Sequence, residues 1–393
     1  MAAYLADVLN LFFRWFHVIA GVAWIGASFY FVWLDLSLRE PPEWKKKKGI
    51  KGDLWSIHGG GFYEVAKYQL GPEEMPKTLH WFKWEAYTTW LTGFALLSVI
   101  YYWGAEQYLI DSQKISLSQI QAIGLSLACL LGGMVVYEAL VRSPLRYQPK
   151  VFGAVLFVLL AFSAWGFGEL FSDRAAYLHV GALIGTIMAG NVMLGIMPAQ
   201  RELVRAVTAG EQPNPLHAEF AKARSTHNNY LTLPLIFIML SNHYPMTYGH
   251  EHAWLVLAVI GGLMAFVRHY FNLKHQDNHQ PWILVAGFIG MIAVVFWLTP
   301  KPVAVDASAP VIPDEQGMML VATHCQSCHT AEPTQAGFVA PPAGLVMETK
   351  AQVAAQKARM IPALQTNYMP LGNMTGMSEG ERETLIQWLG QMP

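Results

Sequence analysis

The sequence predicts an all-α protein, with a bundle of eight membrane-crossing helices followed by a small helical domain. Three observations carry this expectation. Only 13% of the 393 residues are charged and 53% are hydrophobic, against about 25% charged in ordinary globular domains. Eight apolar runs recur along the chain, each near the roughly 20 residues a bilayer core requires of a helix. After Trp297 the composition shifts to a stretch rich in Pro, Ala and Val, and then to an ordinary soluble pattern.

The runs are roughly 6–34, 79–103, 119–141, 151–171, 175–198, 228–244, 252–271 and 282–299. The first lacks a basic leader region and a small-residue cleavage site, and it is too long for a secretory signal. No internal repeat is visible. Basic residues in the loops orient the bundle, because Lys and Arg collect on the cytoplasmic side. Loop 35–78 holds eight, including Lys45, Lys46, Lys47 and Lys48. With the loops after the third, fifth and seventh runs, that side carries seventeen, whereas the other holds Lys114 and Arg174. Both chain ends are therefore expected outside, in the periplasm of a bacterial inner membrane. Within the first inner loop, residues 54–70 read as a hairpin turning on Gly59-Gly60-Gly61, a candidate lid.

Net charge is −1. No basic surplus exists to hold a phosphate backbone, so nucleic acid is not an expected partner. Cys129, Cys325 and Cys328 are too few for a disulfide framework.

The expected division is a membrane domain over 1–299, a semi-rigid linker over 300–313 and an outer domain over 314–393. The outer domain contains Cys325-Gln326-Ser327-Cys328-His329, the C-x-x-C-H spacing that attaches c-type haem. Cys325 and Cys328 would form the thioethers and His329 would be the proximal iron ligand. The spacing alone also suits a redox or zinc site. Haem is favoured by the outer location and by Met369-Pro370 about forty residues later. A terminal amphipathic helix, opened by a Ser378…Glu381 capping box, agrees with it. Met369 is the candidate distal ligand, with Met374 and Met377 as nearby alternatives. The full expectation is an eight-span transmembrane helix bundle with a small α-helical cytochrome c domain.

Ionisable residues inside membrane spans are costly and point to function. Two groups appear, one at each face. In the outer half, His17 and His179 are candidate iron ligands of a b-type haem, with Gly21 one turn from His17 leaving room for a flat macrocycle. The alternative is that His17 bonds a neighbouring helix and Gly21 permits close packing. His243, His250 and His252 cluster in the outer loop. At the inner face, His80, Lys83, Glu85, His227, Asn228, Asn229, Arg268 and His269 share one depth with Trp81, Trp84, Tyr87 and Tyr230. Donors, acceptors, a cation and flat rings suit a planar, polar, anionic heterocycle. Lys83, His227 and Glu85 are the candidate catalytic residues. Asn228, Asn229, Trp84 and Arg268 are the candidate substrate-binding residues. Singly, each aromatic or basic residue also reads as an interface anchor.

The strings FHVIAGVAWIGASFYFVWLD (16–35), WSIHGGGFY (55–63), WFKWEAYTTWLTG (81–93) and RSTHNNYLTLPLIFIMLSNHYP (224–245), joined to a C-x-x-C-H tail, resemble the bacterial membrane-bound urate oxidases of the PuuD urate hydroxylase type. The resemblance covers essentially the whole chain. It implies oxidation of urate to 5-hydroxyisourate in purine breakdown. Electrons would leave through haem c to a periplasmic or membrane acceptor of the respiratory chain. The implied partners are urate, membrane lipid and that acceptor. Two rival readings stand beside it: a quinol-to-cytochrome relay without a purine, and a transporter with a redox-sensing tail.

Overall fold

The computed structural model describes residues 2–299, 310–335 and 338–392. A helix stands at each of the eight apolar runs. They are α1 (Ala2–Ser37), α2 (Trp84–Leu97), α3 (Gln119–Arg142), α4 (Pro149–Leu170), α5 (Asp173–Gly190), α7 (Pro215–Ser241), α8 (Ala253–Lys274) and α9 (Trp282–Trp297). Five stretches are long and apolar enough to cross a membrane: Tyr4–Ser37, Gln119–Arg142, Pro149–Leu170, Asp173–Thr208 and Ala253–Lys274. Trp282–Trp297 is apolar but shorter.

Two helices outrun their apolar stretches. α5 passes through a π-helical segment, Asn191–Ile196, into α6 (Met197–Thr208). α7 begins thirteen residues before its apolar run, where Asn214 caps the start by accepting from Leu216 N and Pro215 fixes the first turn. This polar extension carries Glu219, Lys222 and Arg224. Ser118 and Gln121 form a capping box at α3. The bundle core is built around α5, whose Ala175, Tyr177, Val180, Leu183, Ile184 and Ile187 are buried.

The loop after α1 forms the expected hairpin. β1 (Ile50–His58) pairs antiparallel with β2 (Gly61–Tyr68), and Gly59 and Gly60 take positive φ in a two-residue turn, where glycine carries no steric cost. Lys45 ties the strands by bonding both Asp53 and Glu64. Trp55, Ile57 and Tyr63 are exposed and Phe62 is 79% exposed. The hairpin packs on its own neighbours, with Lys45 over the Trp55 ring and Arg39 bonded to Asp53, and it lines no part of the slot between α4, α7 and α8, so the lid expectation is not met there.

Most of the linker lies outside the described residues. The tail folds on three helices, α10 (Asp314–His324), α11 (Lys350–Gln365) and α12 (Glu379–Gln391). Its own core gathers Val321, Val353, Leu364, Leu385, Trp388 and Leu389. α12 opens with the expected Ser378–Glu381 capping box. The tail rests on three loops at the end of the bundle away from the basic loops. Gln113 Nε2 donates to Met377 O at 3.0 Å, and the Tyr248 and Tyr368 rings stand 6.1 Å apart. A Cβ on Gly249 would meet Thr366 O at 2.3 Å.

Candidate functional site

At the basic end of the bundle, α7 presents four polar residues in succession, and the structure sends them in different directions. Asn228 is buried, accepts from Asn191 Nδ2 at 2.8 Å and donates to Met188 O at 3.0 Å. One turn earlier Arg224 makes a two-pronged ion pair with Glu138, at 2.8 and 2.9 Å, and also donates to Asn191 Oδ1. Gly195, in the π segment, makes room for it: a Cβ there would stand 2.1 Å from Arg224 Cδ.

Asn229 faces α8. Its Oδ1 accepts from Arg268 Nε at 3.0 Å and from Asn272 Nδ2 at 2.8 Å. The Arg268 guanidinium lies 4.1 Å from the centre of the Phe29 ring. Asn229 is 1% exposed and Asn272 is 7% exposed. Asn229 Nδ2 and Asn272 Oδ1 are nevertheless buried without hydrogen-bond partners. A buried donor and a buried acceptor left open beside a cation is the arrangement expected of a binding edge, because unpaired buried polar groups are otherwise costly.

His227 points elsewhere, into an apolar slot of about 710 Å³ between α4, α7 and α8. The Tyr137 hydroxyl bonds His227 Nδ1 at 2.8 Å and Phe152 stacks on the ring. Tyr230 and His269, joined at 2.7 Å, line the same slot. At the start of α2, Lys83 lies over the Trp84 ring, which is 64% exposed. Glu85 has His80 at 4.0 Å from Oε1, while its buried Oε2 has no partner. The predicted group thus separates into the Asn229–Arg268 cluster, the Asn228–Asn191 contact, the His227 slot and the Lys83–Trp84–Glu85 turn. Sequence reasoning missed Asn272, although it lies one turn after Arg268 on the same face. It also missed Phe29, Asn191 and Glu138, of which the last two are polar residues inside apolar runs.

In the other half, His17 Nδ1 bonds Thr89 O at 2.9 Å and Thr92 Oγ1 at 3.1 Å on α2. His179 is fully buried with both ring nitrogens engaged, Nδ1 to Ala175 O and Nε2 to Ser126 Oγ, each at 2.7 Å. Phe171 stacks on its ring. A histidine so bonded has no nitrogen left for iron, so the pair does not fit a b-type haem in this arrangement. His17 makes the interhelical contact of the packing alternative, and the pair fails as a haem b site at His179.

The part of the chain that holds the long apolar helices, about three quarters of it, is matched by a known family. A sequence model of the urate oxidase N-terminal family covers residues 3–299. The chain belongs to this family. No curated protein and no solved structure matches it. Family membership makes the protein a urate oxidase-related oxidoreductase, and its long apolar helices are compatible with a membrane protein. The family match stops at residue 299, where the linker begins, so the tail is read from its own geometry.

There, Cys325, Cys328, His329 and Met369 line one cavity. His329 Nδ1 must donate to Leu345 O at 3.0 Å, since a carbonyl only accepts. That fixes the tautomer and turns Nε2 into the free lone pair that a metal requires. Burial pushes the Cys325 thiol up to about 12 and raises Cys328 as well. Among the described residues no three His, Cys, Asp or Glu side chains gather as a metal-ion site. Met374 lines the same cavity, whereas Met377 is 1% exposed in the tail core. Arg382 pins Met369 through its carbonyl at 2.6 Å. The residues lining this cavity fit the haem c expectation: Cys325 and Cys328 would hold the group, and His329 and Met369 would be its iron ligands.

Proposed function

We propose that the protein is an eight-span membrane enzyme that oxidises urate to 5-hydroxyisourate and delivers the electrons to haem c on its periplasmic tail, and on to the respiratory chain. One observation carries the substrate: the open Asn229 Nδ2 donor and open Asn272 Oδ1 acceptor beside Arg268. Urate, a purine trione, presents N–H and C=O groups in alternation around much of its rim. Asn229 donates to a carbonyl, Asn272 accepts from an N–H, and Arg268 offsets the anionic charge. Phe29, already under Arg268, supplies a flat apolar wall.

The overall change is urate plus water to 5-hydroxyisourate, two protons and two electrons. Water adds at the ring carbon left electrophilic by oxidation, and a base takes a proton. Glu85 is the first candidate, having a buried oxygen without a partner. His227 faces the apolar slot instead of this edge, which makes it the weaker candidate, and Lys83 brings a positive charge to the turn that carries Glu85. Haem c supplies one-electron acceptance when bound. The chain's own residues bind, orient and deprotonate the purine. The basic loops favour urate entry from the cytoplasm.

Anaerobic addition of urate to oxidised, purified protein tests this. Reduction of the c-type haem band by urate, and not by xanthine or allantoin, is the expected result. No reduction, in protein whose haem dithionite still reduces, would overturn it. The apolar slot holding His227, Tyr230 and His269 favours one second reading, a quinol-to-cytochrome relay. That reading predicts reduction by a quinol analogue and indifference to urate.

A further inference from the structure

The cavity around the haem-attachment motif is not built by the tail alone. Tyr108, from the segment between α2 and α3, and Arg174, in the first turn of α5, form part of its wall with Cys325, Cys328, His329 and Met369. Arg174 is held in place: its Nε donates to Asn242 Oδ1 at 2.9 Å, and its guanidinium lies 5.5 Å from the Tyr108 ring centre. Its neighbour Asp173 is committed to Lys114. Among the described residues Arg174 has no carboxylate partner, whereas the buried cations Arg224 and Lys45 pair with Glu138 and with Asp53. A partly buried, unpaired guanidinium is unfavourable unless an anion reaches it. It has two or more N–H groups to offer beyond the one given to Asn242, in a fork matched to a carboxylate.

The only new carboxylates a c-type haem brings into this cavity are its propionates. We propose that Arg174, positioned by Asn242 and Tyr108, is a propionate clamp supplied by the membrane bundle to the haem of the tail. The bundle then does more than carry the tail. It completes the haem site and sets its potential, because a fixed cation beside the haem disfavours the ferric state and raises the potential. Docking and redox poise are coupled through one residue. The inference rests on the haem c reading above.

The test uses full-length, haem-loaded protein in detergent, with the haem quantified by pyridine haemochrome and its midpoint measured by potentiometric titration. Arg174→Gln is expected to keep one covalent haem per chain and to shift the reduction equilibrium about tenfold toward the oxidised form, about 59 mV for one electron. Arg174→Lys is expected to retain most of the potential. Asn242→Ala, which frees the guanidinium without removing it, is expected to give a smaller fall in the same direction. A wild-type midpoint in both Arg174→Gln and Asn242→Ala, with haem attached, would overturn the clamp alone. Absence of a c-type haemochrome from the wild-type protein would overturn the haem reading and the clamp together.

Discussion

Replacing Asn272 by Leu removes the acceptor offered to the purine and disturbs little else. Asn272 gives one internal hydrogen bond, at 2.8 Å to Asn229 Oδ1, and that oxygen keeps its 3.0 Å bond from Arg268. No buried acceptor is stranded by the change. A urate N–H then buried against Leu without a partner costs about 1–3 kcal/mol, which at 1.4 kcal/mol per tenfold is roughly a 5- to 140-fold fall in kcat/KM. Steady-state urate consumption with an artificial electron acceptor measures it. Haem content and reduction by dithionite should stay at wild-type levels, which separates a binding defect from misfolding. Wild-type kcat/KM in Asn272→Leu would refute the binding edge and move the substrate away from the Asn229–Arg268 cluster.

The other predictions concern the base, the scaffold and the tail. Glu85→Gln should abolish most urate turnover, whereas His227→Ala should be the milder change, since His227 faces the apolar slot; full turnover in both, measured by loss of urate absorbance, would move the pocket elsewhere. Gly195→Ala should lower the thermal midpoint by several degrees, because its methyl would enter the space of Arg224; Gly185→Ala, whose Cβ meets nothing, should not. Asp314, bonded to Lys350, and Glu381, bonded to Ser378, both lie below the usual carboxylate range. Their contribution to tail stability is present above the ordinary carboxylate pKa and is lost as pH falls through their lowered values. Acid unfolding followed by Trp388 fluorescence should begin at higher pH in Asp314→Asn.

Much of this architecture was legible in the sequence because hydrophobic run length is a one-dimensional property. Each apolar run meets a helix, and the Ser378–Glu381 box appears as read. Helix extensions were hidden because α6 and the start of α7 are polar, and there helix is propagated by the cap at Asn214 and by packing rather than by hydropathy. The pocket residues were grouped by depth. Consecutive residues on a helix differ by about 100° in direction, so His227, Asn228 and Asn229 cannot face one cavity together. Depth is written in the sequence; direction depends on how α7 is rotated against α4, α5 and α8. Asn272 could have been found by following Arg268 one turn along its own face.

The Arg224–Glu138 pair has a consequence for how two helices stay joined. Arg224 is fully buried in the polar turns that precede the apolar run of α7, and Glu138 of α3 bonds both Arg224 and its own helix neighbour Arg142. Removing one partner of a buried ion pair leaves an uncompensated charge and costs about 3–5 kcal/mol. Without Glu138, two arginines would share the α3–α7 contact with no anion between them, so a single carboxylate acts as the latch of the two helices.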